Sequence, residues 1–210
     1  MRHNILLAGF LILFSLSPPC YTMAAVVEFA FVGRVDGIGL PLFGLNPAIG
    51  SPVTGSFSYD TTLTVTPITP SIAGYQIFSP YTFFADIDGT RVESGGFFGI
   101  TIFNDAGGSM MWVERQPFIV GGTQTTDGVF GLSFASTNPN LFTGLSLPEK
   151  LILDDFDNWH NGGFTRAGHN QEIINFSIDH LDPVPLPSTW FMLLCGLGVL
   201  AFAAHRSLKA

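Results

Sequence analysis

The stretch Pro52-Val53-Thr54-Gly55-Ser56-Phe57-Ser58-Tyr59-Asp60 decides the fold class. Val53, Phe57 and Tyr59 share one parity, while Thr54, Ser56, Ser58 and Asp60 take the other. A period of two with one apolar face describes a strand that buries one side and wets the other, as antiparallel strands do. The same alternation recurs downstream. In Val129–Ala135, Phe130, Leu132 and Phe134 face one way. In Gln171–His180, Ile174, Phe176 and Ile178 oppose Asn175, Ser177 and Asp179.

Working outward, further strands are expected at Val26–Arg34, Gly74–Phe78, Thr82–Ile87, Thr90–Glu93, Phe97–Asn104, Met110–Glu114 and Leu151–Leu153. Turns between them are expected at Asp88-Gly89, Ala106-Gly107-Gly108, Asp127-Gly128 and Asn161-Gly162, pairs that accept the positive φ of tight hairpins. Nine or ten short strands without a long amphipathic helix predict a mainly β domain, an antiparallel two-sheet sandwich or jelly roll. No repeat period of a solenoid or propeller is visible.

Composition agrees with a packed domain. Of 210 residues, 47% are hydrophobic and 11% charged, so disorder is excluded as the general state. All 16 acidic residues fall between positions 25 and 183, where the only cations are Arg34, Arg91, Arg115, Lys150 and Arg166. Such a surface repels phosphate backbones, and nucleic-acid binding is excluded. Both cysteines, Cys20 and Cys195, lie outside that span, so its stability needs no disulfide.

The two ends read as targeting segments. Met1-Arg2-His3-Asn4 supplies a positive start, Ile5–Leu16 is apolar, Pro18 and Pro19 end any helix, and Thr22-Met23-Ala24 presents small residues. A signal peptide over 1–24 is expected, with the cut after Ala24 or after Ala25. Cys20 does not make a lipoprotein signal, because prolines stand in the two positions before it. At the other end, Trp190–Ala204 runs WFMLLCGLGVLAFAA without a charge. As a helix it is about 22 Å long against a hydrocarbon core of about 30 Å, so a span there needs thinning or snorkelling. His205, Arg206 and Lys209 follow, and positive flanks favour the cytoplasmic side.

Val184-Pro185-Leu186-Pro187-Ser188-Thr189, the short hydrophobic helix and the basic end together resemble the PEP-CTERM sorting signal of Gram-negative bacteria. Leu186 stands where the usual Val-Pro-Glu-Pro core has glutamate, and Gly196-Leu197-Gly198 fits such helices. The resemblance covers 184–210, divided into motif 184–189, helix 190–204 and basic end 205–210. It implies processing by an exosortase-type enzyme, membrane contact through Trp190–Ala204 beforehand, and delivery to the cell surface or beyond. The catalytic groups belong to that enzyme, so Cys195 is read as an apolar filler. Val53–Thr62 also resembles a strand seen in many β-rich PEP-CTERM proteins.

Within the exported domain at 25–183, Asp154, Asp155, Asp157 and Asn158 form the sharpest acidic cluster. Calcium takes about six to eight oxygens, yet the glycine and glutamate of an EF-hand loop are missing, and solvated loop carboxylates are the simpler reading. Asp86 and Asp88 read as turn formers. His160, His169 and His180 lack zinc-ligand spacing. No nucleophile motif is present, and a pair such as Glu114 with Asp154 can be named for glycoside hydrolysis, but the sequence gives no distance between them. Trp112 and Trp159 are candidates for a sugar-binding face, with the core as the competing placement. No cofactor is expected. These readings point to a non-enzymatic cell-surface or matrix protein, with polysaccharide as the candidate partner. The alternative is a secreted hydrolase carrying the same tail.

Overall fold

The computed structural model describes residues 26–40, 42–166 and 169–185. The expected signal peptide, the motif residues Leu186, Pro187, Ser188 and Thr189, the Trp190–Ala204 segment and the basic His205, Arg206 and Lys209 lie outside the described residues. Among the described residues, no helix is long and apolar enough to cross a membrane.

Pro52–Asp60 is a strand over its full length, with Val53, Phe57 and Tyr59 fully buried, but Ser56 and Ser58, expected on a wetted face, are buried as well. It is β2 of thirteen among the described residues, all paired antiparallel in a single sheet with the order β10-β9-β6-β5-β2-β1-β13-β12-β11-β8-β7-β4-β3. The strands are β1 Val26–Ile38, β2, β3 Thr66–Thr69, β4 Ile72–Phe78, β5 Phe83–Ile87, β6 Thr90–Glu93 and β7 Phe97–Asp105. They continue with β8 Gly108–Arg115, β9 Ile119–Val120, β10 Thr123–Gln124, β11 Gly128–Ser136, β12 Trp159–Arg166 and β13 His169–Pro183. The edges are short, four residues at β3 and two at β10, which limits edge-to-edge association.

The chain is thus mainly β and antiparallel as expected, but its layers are the two flanks of one curled sheet. Aromatic rings show the curl. Phe83 on β5 stacks on Phe130 on β11 at 4.0 Å, and Phe57 on β2 meets Phe134 on β11 at 6.1 Å. In the sheet, β5 and β11 are separated by β2, β1, β13 and β12. A row of rings lines the bend itself, Phe130 to Phe164 at 4.6 Å, Phe164 to Phe176 at 5.8 Å and Phe176 to Phe31 at 6.2 Å. Phenylalanine suits this position because it fills a wide concave space at little rotamer cost, and each buried ring contributes about 1.5–3 kcal/mol of transfer free energy.

Connections close the two ends. Residues 137–158 cover one, where Phe142, Leu147, Leu151 and Phe156 are buried against the core. Tyr59 donates its hydroxyl to the Pro148 carbonyl at 2.7 Å and Tyr75 to that of Leu145 at 2.6 Å. These bonds satisfy phenols whose rings belong to the core, and burial pushes both pKa values up. At the opposite end, Phe43 of the β1–β2 connection packs edge-on against Phe118 at 5.4 Å.

Several local expectations are corrected. Leu151–Leu153 is no strand: Leu151 is buried in the cap and Leu153–Asp155 forms one 3-10 turn. Asn161-Gly162 is no turn but the middle of β12, a strand that apolar alternation does not show. A Cβ on Gly162 would stand 2.2 Å from Phe176 Cζ and 2.7 Å from Leu132 Cδ2, so the neighbouring side chains occupy its place. Asp127-Gly128 leads into β11 rather than closing a hairpin. Asp88-Gly89, by contrast, joins Ile87 to Thr90 with φ of 48° and 81°, the turn its residues favour. Asp86 sits in β5 and pairs across to Arg91 at 3.1 Å.

Candidate functional site

Where β8, β11, β12 and β13 lie side by side, their outward residues build a groove of about 470 Å³. Registers define its layout. Trp112 stands opposite Ser133, Ser133 opposite Asn161, and Asn161 opposite Ser177. The neighbouring row runs Glu114, Gly131, Gly163 and Asn175. Alternation decides which residues appear here: Met111, Val113, Leu132, Phe134 and Phe164 take the inner parity, leaving Trp112, Gly131, Ser133, Asn161 and Gly163 outside.

Two indoles wall the groove. Trp112 is 41% exposed and Trp159 43%, so both keep a large apolar face in water. Trp159 donates its indole N–H to Ser133 Oγ at 2.8 Å, which fixes that ring. The Trp112 indole nitrogen is 3.2 Å from the position a Cβ on Gly131 would occupy, so the ring lies over a glycine that gives it room. Gly131 and Gly163 give room to side chains laid over them, Trp112 Nε1 at 3.2 Å and Asn175 Oδ1 at 3.0 Å from where their Cβ atoms would be, and Met110, Val129 and Ile173 line the groove beside the amides and hydroxyls of Asn161, Asn175, Ser133 and Thr165. Among the described residues lining the groove, none is charged. Glu114 borders it from β8, and partial burial raises the pKa of its carboxyl.

The other sequence candidates lie elsewhere. Asp154 and Asp155 are exposed on the 3-10 turn of the end cap. Asp157 is a clasp: its carboxylate accepts hydrogen bonds from Ser136 Oγ at 3.1 Å, Thr137 N–H at 2.7 Å and the Thr137 hydroxyl. These bonds, those of Thr137 foremost, hold its pKa below the ordinary aspartate value. Asn158 gives its backbone N–H to Ala135 at 3.1 Å, closing the same base. Among the described residues, no group of three or more His, Cys, Asp or Glu is arranged to hold a metal ion. His160 contacts the Ile178 carbonyl through Nδ1 at 2.8 Å, and His180 is exposed on β13. Glu114 lies on the sheet face and Asp154 on the end cap, so the pair considered for hydrolysis is divided between different parts of the fold.

Sequence reasoning named both tryptophans but missed Gly131, Gly163, Asn161 and Asn175 as their companions. The available signal was that Trp112 and Trp159 sit at the polar parity of their strands, where a core residue has no place. For Trp159 even that signal was hidden, because β12 itself was not recognised.

The expected motif begins where the sheet ends. Pro183 is the last residue of β13, opposite Phe29, and Val184 N–H still bonds the Glu28 carbonyl at 2.8 Å. Residues 183–207 match a known family, the PEP-CTERM protein-sorting motif. No curated protein and no solved structure matches the chain.

Proposed function

We propose that this chain, which carries a PEP-CTERM sorting motif at its C-terminal end, is a glycan-binding protein of the cell surface. The motif implies processing by exosortase, a membrane enzyme, and sorting to the cell surface. An N-terminal signal peptide at 1–24, a transient span at Trp190–Ala204 and release or attachment after processing complete the proposed route.

One observation carries the binding role: Trp112 and Trp159 stand half-exposed in one groove whose lining also presents amides and hydroxyls. Pyranose rings present C–H faces that stack on indoles and hydroxyls that exchange hydrogen bonds with amides, so this surface suits them. Exposed aromatic area beside placed polar groups is a recurrent sign of a binding site. A non-enzymatic role is the favoured reading. The rival, a secreted hydrolase, draws support from the raised pKa of Glu114, a property useful in an acid catalyst. It needs a second carboxylate facing the first, and among the described residues the groove lining supplies none.

The test is a glycan array probed with the full chain in a sugar-free detergent, alongside Trp112→Ala. Signal that depends on Trp112 is the expected result. An array left unbound by the wild-type chain, or bound equally by the variant, would defeat the assignment. Release of reducing ends from a bound glycan, lost in Glu114→Gln, would establish the hydrolase instead.

A further inference from the structure

We infer that the groove takes a neutral, linear glycan lying along β11 and covering at least two consecutive sugar rings. This rests on the glycan-binding reading and adds direction, length and charge to it.

Direction comes from where the indoles converge. Trp112 reaches over from β8 to Gly131, and Trp159 reaches back from β12 to Ser133. Gly131 and Ser133 are successive outward positions of one strand, β11. Side chains two residues apart on a strand are separated by about 7 Å along its axis. The two stacking surfaces are therefore offset along β11, with one approaching from each side.

Length follows from the offset. A single ring lying on one indole leaves the other exposed, and only a chain continuing along β11 covers both. Gly163, next to Gly131 across the β11–β12 ladder, gives its side-chain space to Asn175, whose Oδ1 lies 3.0 Å from where a Cβ would be, so that amide stands beside the path along β11. Asn161 and Asn175, exposed on the β12–β13 side, offer donors and acceptors to equatorial hydroxyls along that path.

Charge follows from what surrounds the path. The described lining is uncharged and Glu114 borders it. Three of the four arginines of the described span are ion-paired, Arg34 with Asp179 at 2.7 Å, Arg91 with Asp86 at 3.1 Å and Arg166 with Asp127 at 3.4 Å, and the fourth, Arg115, is buried with its guanidinium over the Phe97 ring at 3.6 Å. The span 25–183 carries 16 acidic residues. A uronate- or sulfate-bearing chain approaches against this field, whereas a neutral one meets no opposing charge.

The experiment is isothermal titration of the full chain, in a sugar-free detergent, with one-, two-, four- and six-ring oligosaccharides. The neutral series are β-glucan, α-glucan, mannan and xylan; oligogalacturonates form the acidic series. At least one neutral series should gain about tenfold in affinity between one ring and two or more. Trp112→Ala and Trp159→Ala should each lower four-ring affinity about tenfold or more. Trp112→Phe should recover part of the loss. Galacturonates binding more tightly than every neutral series, or equal affinity for one and four rings, would overturn this inference and leave the glycan role standing, whereas unaffected tryptophan variants would overturn both. No binding to any series would overturn both.

Discussion

Replacing Gly162 by alanine tests whether β12 is threaded through the sheet as described. The added Cβ would meet Phe176 Cζ at 2.2 Å, Cε2 at 2.5 Å and Leu132 Cδ2 at 2.7 Å, whereas ordinary contact begins at 3.4 Å. The ring must therefore retreat by more than an ångström. It has little freedom to do so, because Phe176 is fully buried with Phe164 at 5.8 Å and Phe31 at 6.2 Å around it. Overpacking a dense core costs about 1–3 kcal/mol, and a displacement of this size against two further rings belongs at the upper end, about 2–3 kcal/mol. For a domain of this length that is a fall in midpoint of about 4–12 °C. Thermal unfolding followed by circular dichroism measures it. Gly37→Ala is the control, since its Cβ would lie 3.6 Å from Asn175 and its change should stay within about 0.5 kcal/mol. If Gly162→Ala unfolds at the wild-type midpoint, the residue sits in open space as a turn would leave it, and the packing described for β12 is wrong.

Three further outcomes are expected. Tyr59→Phe removes the bond to the Pro148 carbonyl, should cost about 0.5–1.5 kcal/mol in urea unfolding, and should expose 137–158 to limited proteolysis; an unchanged cleavage rate would contradict the capping role. Asp157 has a folded pKa below its ordinary value of 3.8, so its contribution is present above that value and is lost as pH falls through the lower, folded one. The Thr137 amide resonance, which reports on this carboxylate, should titrate with a midpoint under 3.8, and a midpoint at or above it would refute the clasp. Finally, mass spectrometry of protein recovered from the cell exterior should find residues 190–210 removed; intact tails there would end the processing proposal.

Much of this protein is decided locally, and so is legible in its sequence. Period-two alternation determines strands such as Pro52–Asp60 and Val129–Ala135, because it fixes the parity of the core residues, although burial of Ser56 and Ser58 on the other face was decided by tertiary structure. Asp88-Gly89 determines its hairpin because both residues tolerate positive φ. The sorting motif is equally local, being read as a linear segment by another protein, and the match at 183–207 covers all but the last three of the expected residues 184–210. Tertiary structure decided what depends on partners distant in the chain. Trp159–Arg166 is a strand only because β11 and β13 pair with it, and Gly162 is small because Phe176 and Leu132 fill its place. Leu151–Leu153 is apolar enough to read as a buried strand, yet it serves as a cap, with Leu151 buried and Leu153 opening a 3-10 turn. That the layers belong to one curled sheet follows from β13, the last strand, inserting between β1 and β12. The groove has the same origin: three registers bring Trp112, Gly131, Trp159 and Asn175 together, and no single strand contains more than one of those residues.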